Sequence, residues 1–146
     1  MTIRNYDTFC LEEVLGLYES VGWTNYIERA ETLPRAFENS LCVLGAYEGD
    51  SLIGFLRAVG DGVTVLFVQD LLVRPDWQRK GVGSALMREL LRRYETVYQT
   101  ELLADGTEEL AAFYAALGFR SAEELGCRAF VKMRPAIQKD SGKEAN

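Results

Sequence analysis

Gln69-Asp70-Leu71-Leu72-Val73-Arg74-Pro75, followed two residues later by Gln78-Arg79-Lys80-Gly81-Val82-Gly83-Ser84, is the stretch on which the fold turns. Its first part closes an apolar, β-branched run from Val63 to Val73 that reads as a buried strand, stopped by Pro75. Its second part leads into Val82–Tyr94, where Val82, Leu86, Leu90, Leu91 and Tyr94 make one apolar stripe and Arg88, Glu89, Arg92 and Arg93 face away. A glycine-bearing loop therefore joins a buried strand to an amphipathic helix. Amides at a helix start lack internal partners, and the helix dipole adds partial positive charge there. Glycines at 81 and 83 let the backbone close around an oxyanion, so the loop is built to cradle phosphate.

Outward from this unit, the segments Leu41–Tyr47 and Leu52–Val59 precede the strand. The turns Glu48-Gly49-Asp50-Ser51 and Gly60-Asp61-Gly62 join the three as an antiparallel meander. Thr2–Asn5 reads as a short first strand. A helix follows from Phe9, with Asp7 or Thr8 as its cap, until Gly22 breaks it. Thr24–Asn39 reads as one or two short helices interrupted at Leu33-Pro34. After the loop come a strand over Val97–Ala104 and a helix over Thr107–Leu117, capped by Thr107 and ended by Gly118. Two last strands are expected at Phe119–Ala122 and Arg128–Met133. One domain over 1–135 and a polar, disordered tail over 136–146 complete the reading.

Composition limits the chemistry. The 146 residues contain no histidine, which removes Ser–His and Cys–His nucleophiles, HExxH zinc sites and any imidazole base. Cys10, Cys42 and Cys127 are scattered, so neither a metal site nor a disulfide framework is expected, and buried thiols are the plain reading. No apolar run reaches the ~18 residues that span a bilayer, and the N-terminus lacks a signal-peptide stretch, so the expected compartment is the cytoplasm. The net charge of −6 disfavours nucleic acid. Against it, Arg74–Arg93 carries six basic and two acidic residues, a local +4 that suits a compact polyanion. A Walker loop requires lysine after its last glycine, where Ser84 stands, and a dinucleotide fingerprint requires glycine where Leu86 stands.

The pattern Gln78-x-x-Gly81-x-Gly83 resembles the acetyl-coenzyme-A loop of the GNAT superfamily of N-acetyltransferases. Gln69–Pro75 resembles that family's central strand, and Phe113-Tyr114-Ala115-Ala116-Leu117-Gly118-Phe119 resembles the end of its later helix. The resemblance implies an α/β fold with a mixed, mostly antiparallel sheet of about six or seven strands, a splayed central strand and about four flanking helices. It implies acetyl-CoA as cosubstrate and no metal. Leu72 and Val73 would hydrogen-bond the pantetheine arm through their backbones. Gln78, Arg79, Lys80, Gly81, Val82, Gly83 and Ser84 would hold the pyrophosphate, and Phe113 and Tyr114 would line the coenzyme. Tyr114 would protonate the departing thiolate. Thr107 stands where many relatives carry a coenzyme-contacting asparagine, and either offers its hydroxyl or only caps its helix.

For the acceptor, Asp70 is the candidate base, because an acid interrupting an apolar strand must be paired or functional. Pairing with an arginine or capping a strand bulge is the alternative, and Glu101 is the second choice. Trp23 and Tyr26 would wall an acceptor pocket, or simply pack. Residues 1–40 carry seven acids and three bases, which hints at a cationic acceptor. The expected function is acetyl transfer to a primary amine of a small molecule by direct attack in a ternary complex. The alternatives are a protein or peptide acetyltransferase and a non-catalytic acyl-CoA-binding module. An acetyl-cysteine route through Cys127, beside the expected last strand, is the minor mechanism. Relatives are often dimers, so the resemblance allows a homodimer.

Overall fold

The two glycine turns of the meander set the sheet, because each returns the chain directly alongside the strand it has just left. In the computed structural model, which describes residues 1–134, β1 (Thr2–Asn5), β2 (Cys42–Glu48), β3 (Ser51–Gly60), β4 (Val65–Val73) and β5 (Gln99–Leu102) lie side by side in that order. The first three pairings are antiparallel and β4–β5 is parallel. The β3–β4 turn is clamped by Asp61. Its Oδ1 accepts from the amides of Val63, Thr64 and Val65 at 2.8, 2.7 and 3.0 Å, and its Oδ2 from the Thr64 hydroxyl at 2.6 Å. These four bonds hold the Asp61 carboxyl well below the usual carboxylate range.

Five α-helices accompany the sheet: α1 (Leu11–Ser20), α2 (Thr24–Ile27), α3 (Leu33–Glu38), α4 (Val82–Arg93) and α5 (Glu108–Ala116). Short 3-10 turns lie at Ala30–Thr32, Pro75–Trp77 and Glu123–Leu125. The chain falls into two compact units, Met1–Leu103 and the part from Ala104 onward. In the first unit, Val14, Leu17 and Tyr18 of α1 and Leu33 and Phe37 of α3 bury against Tyr47, Leu52, Phe55 and Leu72 of the sheet. The stripe of α4 buries Val82, Leu86, Met87 and Leu90. In the second, the Thr107 hydroxyl caps α5 by accepting from the Leu110 amide at 3.2 Å, and Gly118 takes φ +93° beyond its end.

Several expectations require correction. Among the described residues the sheet has five strands rather than six or seven, and the α-helices number five rather than about four. Phe119–Ala122 and Arg128–Met133 form no strands. Arg128–Met133 has β-prone composition but is not paired in a ladder among the described residues, and Phe130 is 90% exposed. Neither Asp7 nor Thr8 caps α1. The helix starts after Cys10 without a side-chain cap, and the amide of Cys10 itself donates to the Tyr6 hydroxyl at 3.1 Å. Only Cys42 is a buried thiol, while Cys10 and Cys127 are exposed. The expected tail lies outside the described residues. No helix among those described is long and apolar enough to cross a membrane.

β3 and β4 approach closely at Gly54, which pairs with Val73. A Cβ on Gly54 would sit 2.7 Å from the Leu72 carbonyl oxygen, a backbone atom that cannot swing aside. Gly54→Ala should therefore destabilise the protein by about 1–3 kcal/mol through overpacking, read as a lowered midpoint in urea denaturation. A midpoint equal to that of the wild type would show that β4 yields at Leu72 without cost.

Candidate active site

An extra residue in β4 shapes the site. β3 and β4 pair Arg57 with Asp70 but Ala58 with Val68, which leaves Gln69 as a bulge. Directly paired residues share a face, and neighbours along a regular strand alternate. Val68 therefore lies on the face of Ala58, and Asp70 on the opposite face with Arg57. Without the bulge Val68 and Asp70 would share a face. Gln69 and Asp70 both reach one tyrosine stack: Gln69 Nε2 donates to Tyr26 Oη at 2.9 Å, and Tyr18 Oη donates to Asp70 Oδ2 at 2.7 Å. The Tyr18 and Tyr26 rings stack at 4.4 Å.

Asp70 has no exposed surface. Arg57 Nε donates to the same Oδ2 at 2.7 Å, and the Arg57 guanidinium lies 5.3 Å from the Phe37 ring. Oδ1 makes no geometrically complete hydrogen bond among the described residues. Burial, then the Asp70 charge and hydrogen bond, push the Tyr18 hydroxyl far above its usual range, so it stays a donor. On Arg57, burial alone would lower the pKa, but the charge and hydrogen bonds of Asp70 outweigh it. Of the two expectations for Asp70, pairing with an arginine at a strand bulge describes its contacts. Arg57 and Tyr18 escaped the sequence reading, although Arg57 is as isolated in Leu52–Val59 as Asp70 is in Val63–Val73.

Beyond the bulge the sheet opens. The β4–β5 ladder ends at Val68–Leu102, whereas β4 continues to Val73 with β3 alone. Leu72 and Val73 thus lie where the β5 side of the strand has no pairing partner among the described residues. The Val73 carbonyl accepts from Gln78 Nε2 at 3.0 Å, so Gln78 ties the loop to the end of the strand. Arg79 adopts φ +61° and Gly81 φ +82°, the second as the N-cap of α4. Gly81 needs its lack of a Cβ for that left-handed backbone, and nothing lies within 4 Å of where a Cβ would stand. The first helical bond runs from the Ala85 amide to the Gly81 carbonyl at 3.0 Å. The amides of Val82, Gly83 and Ser84 precede it, as free helix-start donors do.

The basic island divides. Arg92 and Arg93 each donate to Glu89 at 2.8 Å and hold its carboxyl down at about 2. Arg74 donates to the Leu52 carbonyl at 3.0 Å. Positive charge at the loop itself comes from exposed Arg79 and Lys80, the latter 5.2 Å from the Trp77 ring.

Trp23 and Tyr26 are half-buried and pack with Tyr18 on the core. Glu101 is exposed on β5. In the second unit, Tyr114 is half-buried between Phe113 at 5.0 Å and Phe119 at 5.7 Å, and burial raises its hydroxyl pKa. Arg128–Met133 is not a strand, so Cys127 follows the left-handed Gly126 in an exposed, irregular segment. No metal-binding group of His, Cys, Asp or Glu occurs among the described residues.

A family model, that of the GNAT acetyltransferase domain, matches residues 7–136, and the chain belongs to that family. A GNAT-family acetyltransferase structure from Streptococcus pneumoniae TIGR4 is similar at 40% identity and TM-score 0.82, covering 91% of this chain and 97% of that one. The PaiA N-acetyltransferase of Thermoplasma acidophilum, solved in complex with coenzyme A, shares the fold at 21% identity and TM-score 0.66, covering 82% and 91%. An uncharacterized ycf52-like N-acetyltransferase from Prochlorococcus marinus is 32% identical over 123 residues. That match covers 80% of this chain but 64% of the relative, so the chain spans less than two thirds of its length.

The buried pair has a measurable signature. Arg57→Met leaves Asp70 without its cation and should destabilise the protein by about 3–5 kcal/mol, read by urea denaturation. Arg57→Met combined with Asp70→Leu should recover part of that loss, because no buried charge is then left unpaired, although the Tyr18 hydroxyl loses its acceptor. A double variant as unstable as the single one would show that the pair acts through shape rather than charge.

Proposed function

We propose that the protein transfers an acetyl group from acetyl-CoA to a primary amine of a small molecule. The observation that carries this reading is the half-open β4, which runs past its last β5 pair directly into Gly81 and the N-terminus of α4. A strand edge suits an amide-bearing arm, and helix-start amides beside Arg79 and Lys80 suit a pyrophosphate. Leu72 and Val73 align the arm, while the loop from Gln78 to Ser84 anchors the phosphates. The coenzyme-A complex of the Thermoplasma fold neighbour is in keeping with this use of the fold.

In the reaction the acceptor nitrogen attacks the thioester carbon and its proton passes to an acceptor-side base or to water. The carbon–sulfur bond breaks as Tyr114 gives its proton to the thiolate. The products are the amide and free coenzyme A. Holding nitrogen and thioester in line supplies several kcal/mol of the lowered barrier. Burial raises the Tyr114 pKa, which keeps the phenol protonated but makes it a weaker acid, so the transfer depends on direct contact with the thiolate. Thr107 already accepts from α5, so a contact with the coenzyme would use its hydroxyl proton or its second lone pair. On this reading residues 1–135 act as one acetyltransferase domain, and the excess of acids over residues 1–40 favours a cationic acceptor.

Thermal unfolding with and without acetyl-CoA, with ATP and NADH as controls, tests the donor. At a hundredfold excess over its Kd the coenzyme should add ~2.7 kcal/mol, a rise of roughly 5–15 °C for a chain of this size. No rise, or one matched by ATP, would reduce the loop to a generic phosphate site. Tyr114→Phe should then lower kcat at least tenfold while leaving the acetyl-CoA shift intact, and an unchanged kcat would remove Tyr114 as the acid.

A further inference from the structure

The bulge leaves one chemical loose end. Asp70 is fully buried, and both of its donors, Tyr18 and Arg57, converge on Oδ2. Oδ1 lacks a complete hydrogen bond, and a buried carboxylate oxygen in that state is costly. Being buried, the carboxylate cannot itself meet an incoming molecule. Tyr26 can, because its ring is only half-buried.

The Tyr26 hydroxyl has one proton to give and two lone pairs to fill. One lone pair takes the Gln69 amide at 2.9 Å. The proton is drawn toward Asp70: burial, then the Asp70 charge, raises the Tyr26 pKa, and a weak hydrogen-bonding contribution from Asp70 adds to the rise. The second lone pair is left for another N–H donor. The ring cannot wander, since it stacks on Tyr18 at 4.4 Å and lies 6.4 Å from Trp23. Its anchor Gln69 is the first residue beyond the last β4–β5 pair, where the sheet opens.

We infer that the Tyr26 hydroxyl holds the acceptor's nitrogen, with Gln69 fixing the hydroxyl in place and the buried Asp70 carboxylate backing it. Tyr26 is then the residue that touches the acceptor, and Asp70 and Gln69 are positioning residues acting through it. The ligand class is an N–H donor, a primary amine or its ammonium form. The inference rests on the acetyl-transfer reading above and adds the residue that receives the acceptor.

The test follows thiol release from acetyl-CoA with phenethylamine, spermidine and an alanine-terminated peptide as acceptor probes, using whichever the wild type turns over best. Tyr26→Phe keeps the ring stack and removes only the hydroxyl. It should raise the KM for the acceptor about tenfold, with the KM for acetyl-CoA and the Tm unchanged. Gln69→Leu should raise the acceptor KM by a smaller factor, about threefold. An acceptor KM within twofold of wild type in Tyr26→Phe overturns the inference and leaves the transferase reading standing. A lowered Tm with both KM values raised alike also overturns it, because Tyr26 would then be packing. A wild-type protein that neither releases thiol with any probe nor is stabilised by acetyl-CoA overturns the transferase reading and this inference with it.

Discussion

The short contact between Arg57 and Asp70 across β3 and β4 sits where the ladder slips by one residue, and much of the molecule is arranged around that slip. Before it, Val68 shares a face with Ala58. After it, Asp70 and Leu72 share a face with Arg57 and Phe55, and Leu72 joins the core beneath α1 and α3. A single strand thereby serves two layers. An ion pair out of water is stabilising only when its geometry is good and its remaining valences are met. Tyr18 meets one of them, and its ring connects the pair to the aromatic packing of Trp23, Tyr26 and Phe55. The pair is better understood as specifying where the bulge falls than as a large net source of stability.

From the bulge onward, the direction of the chain is set by the strand, the loop and the helix in turn. β4 leaves β5 behind, Gln78 turns back to the Val73 carbonyl, and Gly81 reverses the chain into α4. The stripe of Val82, Leu86, Met87 and Leu90 then fixes the helix by burial, so its dipole and first amides are held by packing remote from the loop.

The parts of this design that depend on local chemistry were readable in the amino-acid order. Glycine turns at 49 and 60–62 announced the meander, Gly81 marked the helix start, and Asp70 stood out as a charge in an apolar run. What depends on distant partners was not. Nothing near Asp70 in the chain names Arg57 or Tyr18, thirteen and fifty-two positions away. The start of α1 carries no side-chain cap, so the short polar residues Asp7 and Thr8 do not mark it. Arg128–Met133 has strand composition, yet composition alone cannot supply a neighbouring strand, and none is paired with it here. The bulge itself left only a faint trace: alternation breaks at Gln69-Asp70, but either residue alone could have been the exception.

The bulge also gives the strand a point of slack. Gln69 is the residue that β3 leaves unpaired, and the ladder keeps its partners on either side of it, Val68 with Ala58 and Asp70 with Arg57. Deletion of Gln69 would make Val68 and Asp70 neighbours on alternate faces, so Asp70 would stay opposite Arg57, and Leu71, Leu72 and Val73 would keep their environments. What would be lost is the local kink and the Gln69 contact with Tyr26. At this position the strand can shed a codon without exchanging its inner and outer faces.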